Sequence, residues 1–291
     1  IASRNASGTH GGSTRGTPAL YHARWRTARE PCYIADVSTG TRAPSPAFVG
    51  LAVVALAAMG TTISLVSFAP IEARMGIVQK IFYFHVSSAY CMYVGLGVCA
   101  LASLGWLFRR DERLDALAVS GAEVGLAFTA IVLATGPLWG RKAWGVYWVW
   151  DPRLTSTLLM GLMFVAYHVL RASGQPGGVE RRFAAALALL ALPNAALIHY
   201  SVQKWGGQHP QVITGQGGGL APTMLPAFFT ALATFTVLVV VLIWGRYRAE
   251  RLRQQVAALG DPATVFDGKR KNIAYFRSAF IATAEARARL F

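Results

Sequence analysis

Charge is what this sequence has least of. Only 14% of its 291 residues are Asp, Glu, Lys or Arg, where soluble domains carry about 25%. The acids are the scarcer sign, 13 against 28 bases. With a hydrophobic share of 54% and a mean hydropathy of +0.41, this excludes an ordinary water-soluble protein and implies an integral membrane protein. Cysteine is sparse as well: none of the three forms a CxxC pair, and no CxxCH occurs. The chain is therefore not itself a c-type cytochrome. A structural disulfide is not expected either, because Cys91 and Cys99 lie in one hydrophobic run. The net charge of +15 invites a nucleic-acid partner, but the bases flank apolar runs, where membrane topology accounts for them. No nucleic acid is called for.

What is present is a series of hydrophobic runs. Residues 1–46 begin on Ile1 and are rich in Gly, Ser, Thr, Ala and Arg without hydrophobic periodicity. They read as a disordered tail, or as an artefact of where the start was assigned, and His10, His22 and Cys32 within them receive no role. Runs able to cross a hydrocarbon core of about 30 Å follow, at residues 48–68, 85–108, 118–138, 154–170, 183–198 and 225–244. The count is six. The fourth and fifth are short, and Pro193 interrupts the fifth. Of the 28 bases, 22 fall in the two tails and the segments after the second and fourth runs, so both termini are expected in the cytoplasm. This divides the chain into a tail (1–46), a six-span domain (47–245) and a basic cytoplasmic C-terminal tail (246–291). The start of that last tail, RYRAERLRQQ, reads as a helix at the lipid surface or free in solvent.

One loop stands apart. Residues 136–156 read GPLWGRKAWGVYWVWDPRLTS and pack Trp139, Trp144, Tyr147, Trp148 and Trp150 into twelve positions, beside Arg141, Lys142, Asp151 and Arg153. Indole and phenol rings favour the membrane–water boundary, so the stretch is expected there, on the outer side. An interfacial anchor is the plain reading. The density of rings beside a charge pair also suits a platform for a large, flat, partly anionic ligand. Three histidines, His85, His199 and His209, fall on the same side, while His168 lies near the opposite end of the fourth run. Two imidazoles from different segments can clamp a haem iron from both faces. His85 precedes the platform in sequence. His199 and His209 compete for the second position, His199 at a helix end, and His209 in a loop made adaptable by Gly206, Gly207, Gly215 and Gly217–Gly219. Asp151 is placed to cap the fourth helix through the Pro152 turn, leaving Arg153 to reach an anionic group.

Three segments then carry a family resemblance: QKIFYFHVSSA at 79–89, WGVYWVWDPRLTS at 144–156 and IHYSVQKWGGQHP at 198–210. In this order on a six-span frame, the chain resembles the haem-handling family of cytochrome c assembly, and within it the C component of the cytochrome c maturation system. The resemblance covers roughly residues 48–245. It implies an all-α integral membrane bundle of six transmembrane helices with outer-side haem-binding loops. It implies haem b as the carried ligand, His85 and His209 as its two axial ligands, and Trp144, Tyr147, Trp148, Trp150, Asp151 and Arg153 as the surrounding site, with Lys142 a second candidate for the propionates. Tyr147 stands where the family commonly has tryptophan, and Ser87 where proline often follows. The implied partners are a membrane-anchored haem chaperone (the E component), a small single-span D component, an ATP-binding cassette transporter pair and membrane lipid. The implied location is the bacterial inner membrane, with the haem site periplasmic. The implied role is delivery of haem, not catalysis. A haem-handling subunit of a cytochrome c synthetase is the nearest alternative, although Arg153-Leu154-Thr155-Ser156 departs from the lysine and acid usual there. A solute permease or a b-type cytochrome subunit fits less well, because the spans offer only Glu123 and Pro193 as midplane features and no mid-span histidine.

Overall fold

The computed structural model describes residues 44–174, 178–207, 209 and 220–260, with the side chains of 258–260 left aside. The expected N-terminal tail up to residue 43, the glycines at 215 and 217–219, and the C-terminal tail beyond residue 260 lie outside the described residues. Six helices carry the fold: α1 (Pro46–Phe68), α2 (Ile81–Arg109), α3 (Glu112–Trp144), α4 (Pro152–Ala172), α5 (Val179–Trp205) and α6 (Leu225–Gly260). All six are long and apolar enough to cross a membrane, and no strand occurs among the described residues. The protein is an all-α, multi-pass membrane bundle.

Local chemistry sets several of the boundaries. Ser45 caps α1 ahead of Pro46, Asp111 caps α3 by accepting from Arg113 N, and Asp151 caps α4 ahead of Pro152. In each case a side-chain oxygen takes an N–H that the first turn cannot satisfy. The fourth and fifth spans, expected to be short, are 21 and 27 residues long. Charged ends that hydropathy ignores extend them.

Packing is closest between α2 and α3. A Cβ built on Gly95 would lie 2.6 Å from Gly125 Cα, and one on Gly121 would lie 2.7 Å from Cys99 N. The two backbones touch there, which only glycine permits, as at many helix crossings in membranes. Cys91 and Cys99 are buried and free in the core beside them. α4 and α5 are joined by polar ties: Asn194 Nδ2 donates to Ser156 O at 3.0 Å, and Arg153 reaches the α5 carbonyls described below. α1 packs mainly on α6, where Thr62 and Thr234 share a 2.8 Å hydroxyl hydrogen bond.

At the end away from the aromatic loop, the structure revises one expectation. The segment RYRAERLRQQ does not leave the bundle but continues α6 and packs on it. Glu250 is only 3% exposed, and Gln254 donates to Asp115 at 3.2 Å. Asp115 is in turn paired with Arg171 at 2.7 Å, and Arg181 with Glu112 at 2.7 Å. Ends of α3, α4, α5 and α6 are thereby stitched together. A buried ion pair satisfied in this way is costly to break from one side.

Candidate ligand-binding site

The site is built at the opposite end, where α3 stops. Gly145 (φ 82°) takes the left-handed conformation that ends α3, and its N–H closes on Arg141 O at 3.2 Å. Asp151 accepts from Leu154 N at 2.8 Å to start α4. The Asp151 cap is therefore as the sequence suggests, but half of the aromatic stretch is not loop. Residues 136–144 are the last turns of α3, with Pro137 inside the helix, and only 145–151 bridge the two helices.

That extension brings a further aromatic residue into the site. A cavity of roughly 350 Å³ lies between α2, α3, α4 and α5, beneath the aromatic segment. α2 contributes Phe82, His85, Val86, Ala89, Met92 and Tyr93, a spacing of three and four that puts them on one helical face. Trp139, Trp144 and Trp148 close the cavity, and Arg153, His199, Gln203 and His209 line it as well. Trp139 meets Trp144 edge to face, with ring centroids 5.7 Å apart, and Trp144 lies 5.4 Å from the His209 ring. Trp144 can fold back because Gly140 has no side chain; a Cβ there would sit 3.0 Å from the indole.

The expected site residues thus separate into two groups. His85, His209, Trp144, Trp148 and Arg153 face one cavity. Tyr147 and Trp150 are 58% and 76% exposed and do not line it: Tyr147 lies under the Arg141 guanidinium, and Trp150 packs edge-on against Trp148 at 5.6 Å. Lys142 is exposed and also outside the lining. Asp151 is also outside the lining, and a Cβ on Gly207 would lie 3.4 Å from its Oδ2. Trp139 belonged to the aromatic stretch but not to the implied ligand set, and it enters the lining because α3 continues to Trp144; Met92 and Tyr93 were not named from sequence, and their signal was the spacing of three and four from Ala89 on α2.

Arg153 is not free. Its Nε donates to Ile198 O and its Nη2 to His199 O, both at 3.0 Å, so two of its five N–H donors tie the start of α4 to α5 and Nη1 is the nitrogen with both N–H groups left for a ligand. The indole N–H groups of Trp139 and Trp148, Asp151 Oδ2 and His209 Nδ1 are buried without a hydrogen-bond partner among the described residues. Buried polar atoms without partners are uncommon. Indole N–H donors suit the carboxylates of an anionic guest, and neutral imidazoles suit a metal ion.

His85 is held by Thr135, with Nδ1 2.8 Å from Oγ1. His209 is held by burial. Desolvation, then the positive charge of Arg153 and the imidazole of His85, push its pKa from 6.5 down to about 4, opposed by Asp151. It is neutral at pH 7. A released His209 takes up a proton near pH 6.5, whereas the seated ring does so only near 4, so seating loses stability as pH falls through that interval. Tryptophan fluorescence of the ligand-free protein is expected to change over this window and to stay flat in His209→Ala. A change in the wild type on raising the pH above 6.5 would contradict the assignment.

The bundle gathers two imidazoles and three indoles around one cavity, a lining whose metal-ligating nitrogens and flat apolar faces would suit a flat, metal-bearing aromatic guest. Residues 34–260 match the family described as Heme exporter protein C, and the chain belongs to that family. It is 38% identical to the Heme exporter protein C of Bradyrhizobium diazoefficiens over 195 residues, covering 66% of this chain and 73% of that one. It is 33% identical to those of Escherichia coli over 185 residues (62% and 74%) and Paracoccus denitrificans over 194 (65% and 80%).

Proposed function

We propose that the protein binds haem b at the periplasmic face of the bacterial inner membrane and delivers it to a membrane-anchored haem chaperone during c-type cytochrome assembly. The observation that carries this reading is the cavity itself, with His85 on α2 and His209 after α5 both lining it beneath Trp139, Trp144 and Trp148. In this reading the imidazoles hold the iron, the indoles support the ring, and the propionates take hydrogen bonds from indole N–H groups and the remaining Arg153 nitrogen. The protein forms no bond in the haem; its contribution is orientation. Tyr147 and Trp150, exposed on the segment between α3 and α4, suit contact with the acceptor. The D component and the transporter pair are the further partners, and both termini lie in the cytoplasm. Support comes from the family's name, from the relatives' names and from the chemistry of the lining.

The test separates holding haem from handing it over. Trp148 supplies stacking worth about 1–3 kcal/mol, which a doubly ligated haem survives, whereas a displacement of about 1 Å can slow a bond-forming step about a hundredfold. The purified protein is expected to show a low-spin haem spectrum. Trp148→Ala is expected to keep that spectrum yet load far less haem onto the chaperone. A colourless preparation after haem addition contradicts the haem reading, and a proportional fall in both quantities contradicts the orienting role.

A further inference from the structure

The His85 imidazole rests on a two-step hydrogen-bond relay that ends in helix backbone. Its Nδ1 is 2.8 Å from Thr135 Oγ1, and that same hydroxyl donates to Ile131 O, one turn earlier on α3, at 2.7 Å. A threonine hydroxyl has one proton. Since a carbonyl can only accept, the proton goes to Ile131 O, and Oγ1 is left as an acceptor toward the ring. Nδ1 must then be the protonated nitrogen, which leaves Nε2 as the lone-pair nitrogen. The ring cannot turn over freely either. A Cβ on Gly136 would lie 3.3 Å from His85 Cε1, so the imidazole edge packs against α3 itself. His85, Gly136 and Pro137 line the cavity, and Thr135 is not among its lining residues.

We propose that Thr135 is a positioning residue that fixes the tautomer and ring orientation of His85, presenting Nε2 as a preset metal ligand. The inference rests on the haem reading above and adds to it the residue that prepares one ligand before the guest arrives. Outer-shell acceptors of this kind orient a ligating imidazole and raise its basicity. A more basic imidazole favours the ferric state, so Thr135 lowers the reduction potential of haem bound there.

Thr135→Val removes the acceptor at nearly constant volume. In the full-length protein purified in detergent and loaded with haem b, it is expected to release haem to an apo-globin acceptor about tenfold faster or more, the range for lost outer-shell partners, and to raise the reduction potential. Thr135→Ser keeps both hydrogen bonds and is expected to restore both values. If the valine variant accumulates too little protein, Thr135→Ala poses the same question without crowding. Wild-type release and potential in Thr135→Val or Thr135→Ala, alongside loss of ligation in His85→Ala, overturn the positioning role while the haem reading stands. A wild-type spectrum in His85→Ala overturns the ligand role of His85 and this inference with it. Serine behaving like valine would also overturn it, since size rather than the hydroxyl would then matter.

Discussion

Replacing either His85 or His209 by alanine is expected to abolish six-coordinate, low-spin haem in the purified protein. The loss of retention should exceed the roughly 10–100-fold that removal of an outer-shell partner costs a metal site, because an iron bond itself disappears. The two residues reach the cavity from different directions, His85 from the second turn of α2 and His209 from beyond the end of α5, yet each is close enough for the His85 ring to influence protonation of His209. His199 is the internal control. It also lines the cavity, but it is exposed, its ring stands edge-on to Tyr200 at 4.8 Å, and its carbonyl is engaged by Arg153. His199→Ala is therefore expected to keep the low-spin spectrum. Unchanged spectra in both of the other variants would dismiss the clamp, and loss in His199→Ala with retention in His209→Ala would transfer the role to His199.

Gly95→Ala is expected to be the most damaging of the single-methyl changes. Its Cβ would meet Gly125 Cα at 2.6 Å, Gly125 N at 2.7 Å and Gly121 O at 2.9 Å. All three are backbone atoms, so no side-chain rotation relieves them and the helices must part. Overpacking of this kind costs about 1–3 kcal/mol and occasionally more. Small residues at such crossings are also what lets membrane helices associate. Gly97, on the same helix, has nothing within 4 Å of its Cβ position, so Gly97→Ala is expected to be neutral or slightly stabilising through helix propensity. Thermal aggregation of the two variants in the same detergent makes the comparison. Equal midpoints would show that α2 and α3 are not locked where the glycines meet. The effect reaches the site, because α2 carries His85 and α3 carries the Thr135 and Gly136 against which it rests.

Much of this was legible from local pattern. Six apolar runs announced six spans, and Asp151-Pro152 announced a capped helix start, because both signals lie within a few residues of the feature they specify. What escaped depends on contacts between distant residues. The extension of α6 past Trp244 is stabilised by Gln254 meeting Asp115, a pairing that hydropathy cannot register. Arg153 looked available to a ligand because the α5 carbonyls that occupy two of its donors lie 45 and 46 residues away. The aromatic stretch read as one platform because its rings are contiguous in sequence. The end of α3 at Gly145 divides it, sending Trp139 and Trp144 inward from a helix while Tyr147 and Trp150 face out.

The two histidines also differ in how they are mounted. His85 is part of a continuous helix and is braced by a second one. His209 follows Gly206, whose φ of 73° suits glycine, and Gly207, where an added Cβ would sit 3.2 Å from Val202. Displacing the first means disturbing a helix; displacing the second needs rotation about two residues without side chains. In the proposed complex the guest is gripped from a helix on one side and from beyond a glycine pair on the other. Substituting Gly206 or Gly207 is then expected to alter when the cargo departs rather than how well it fits.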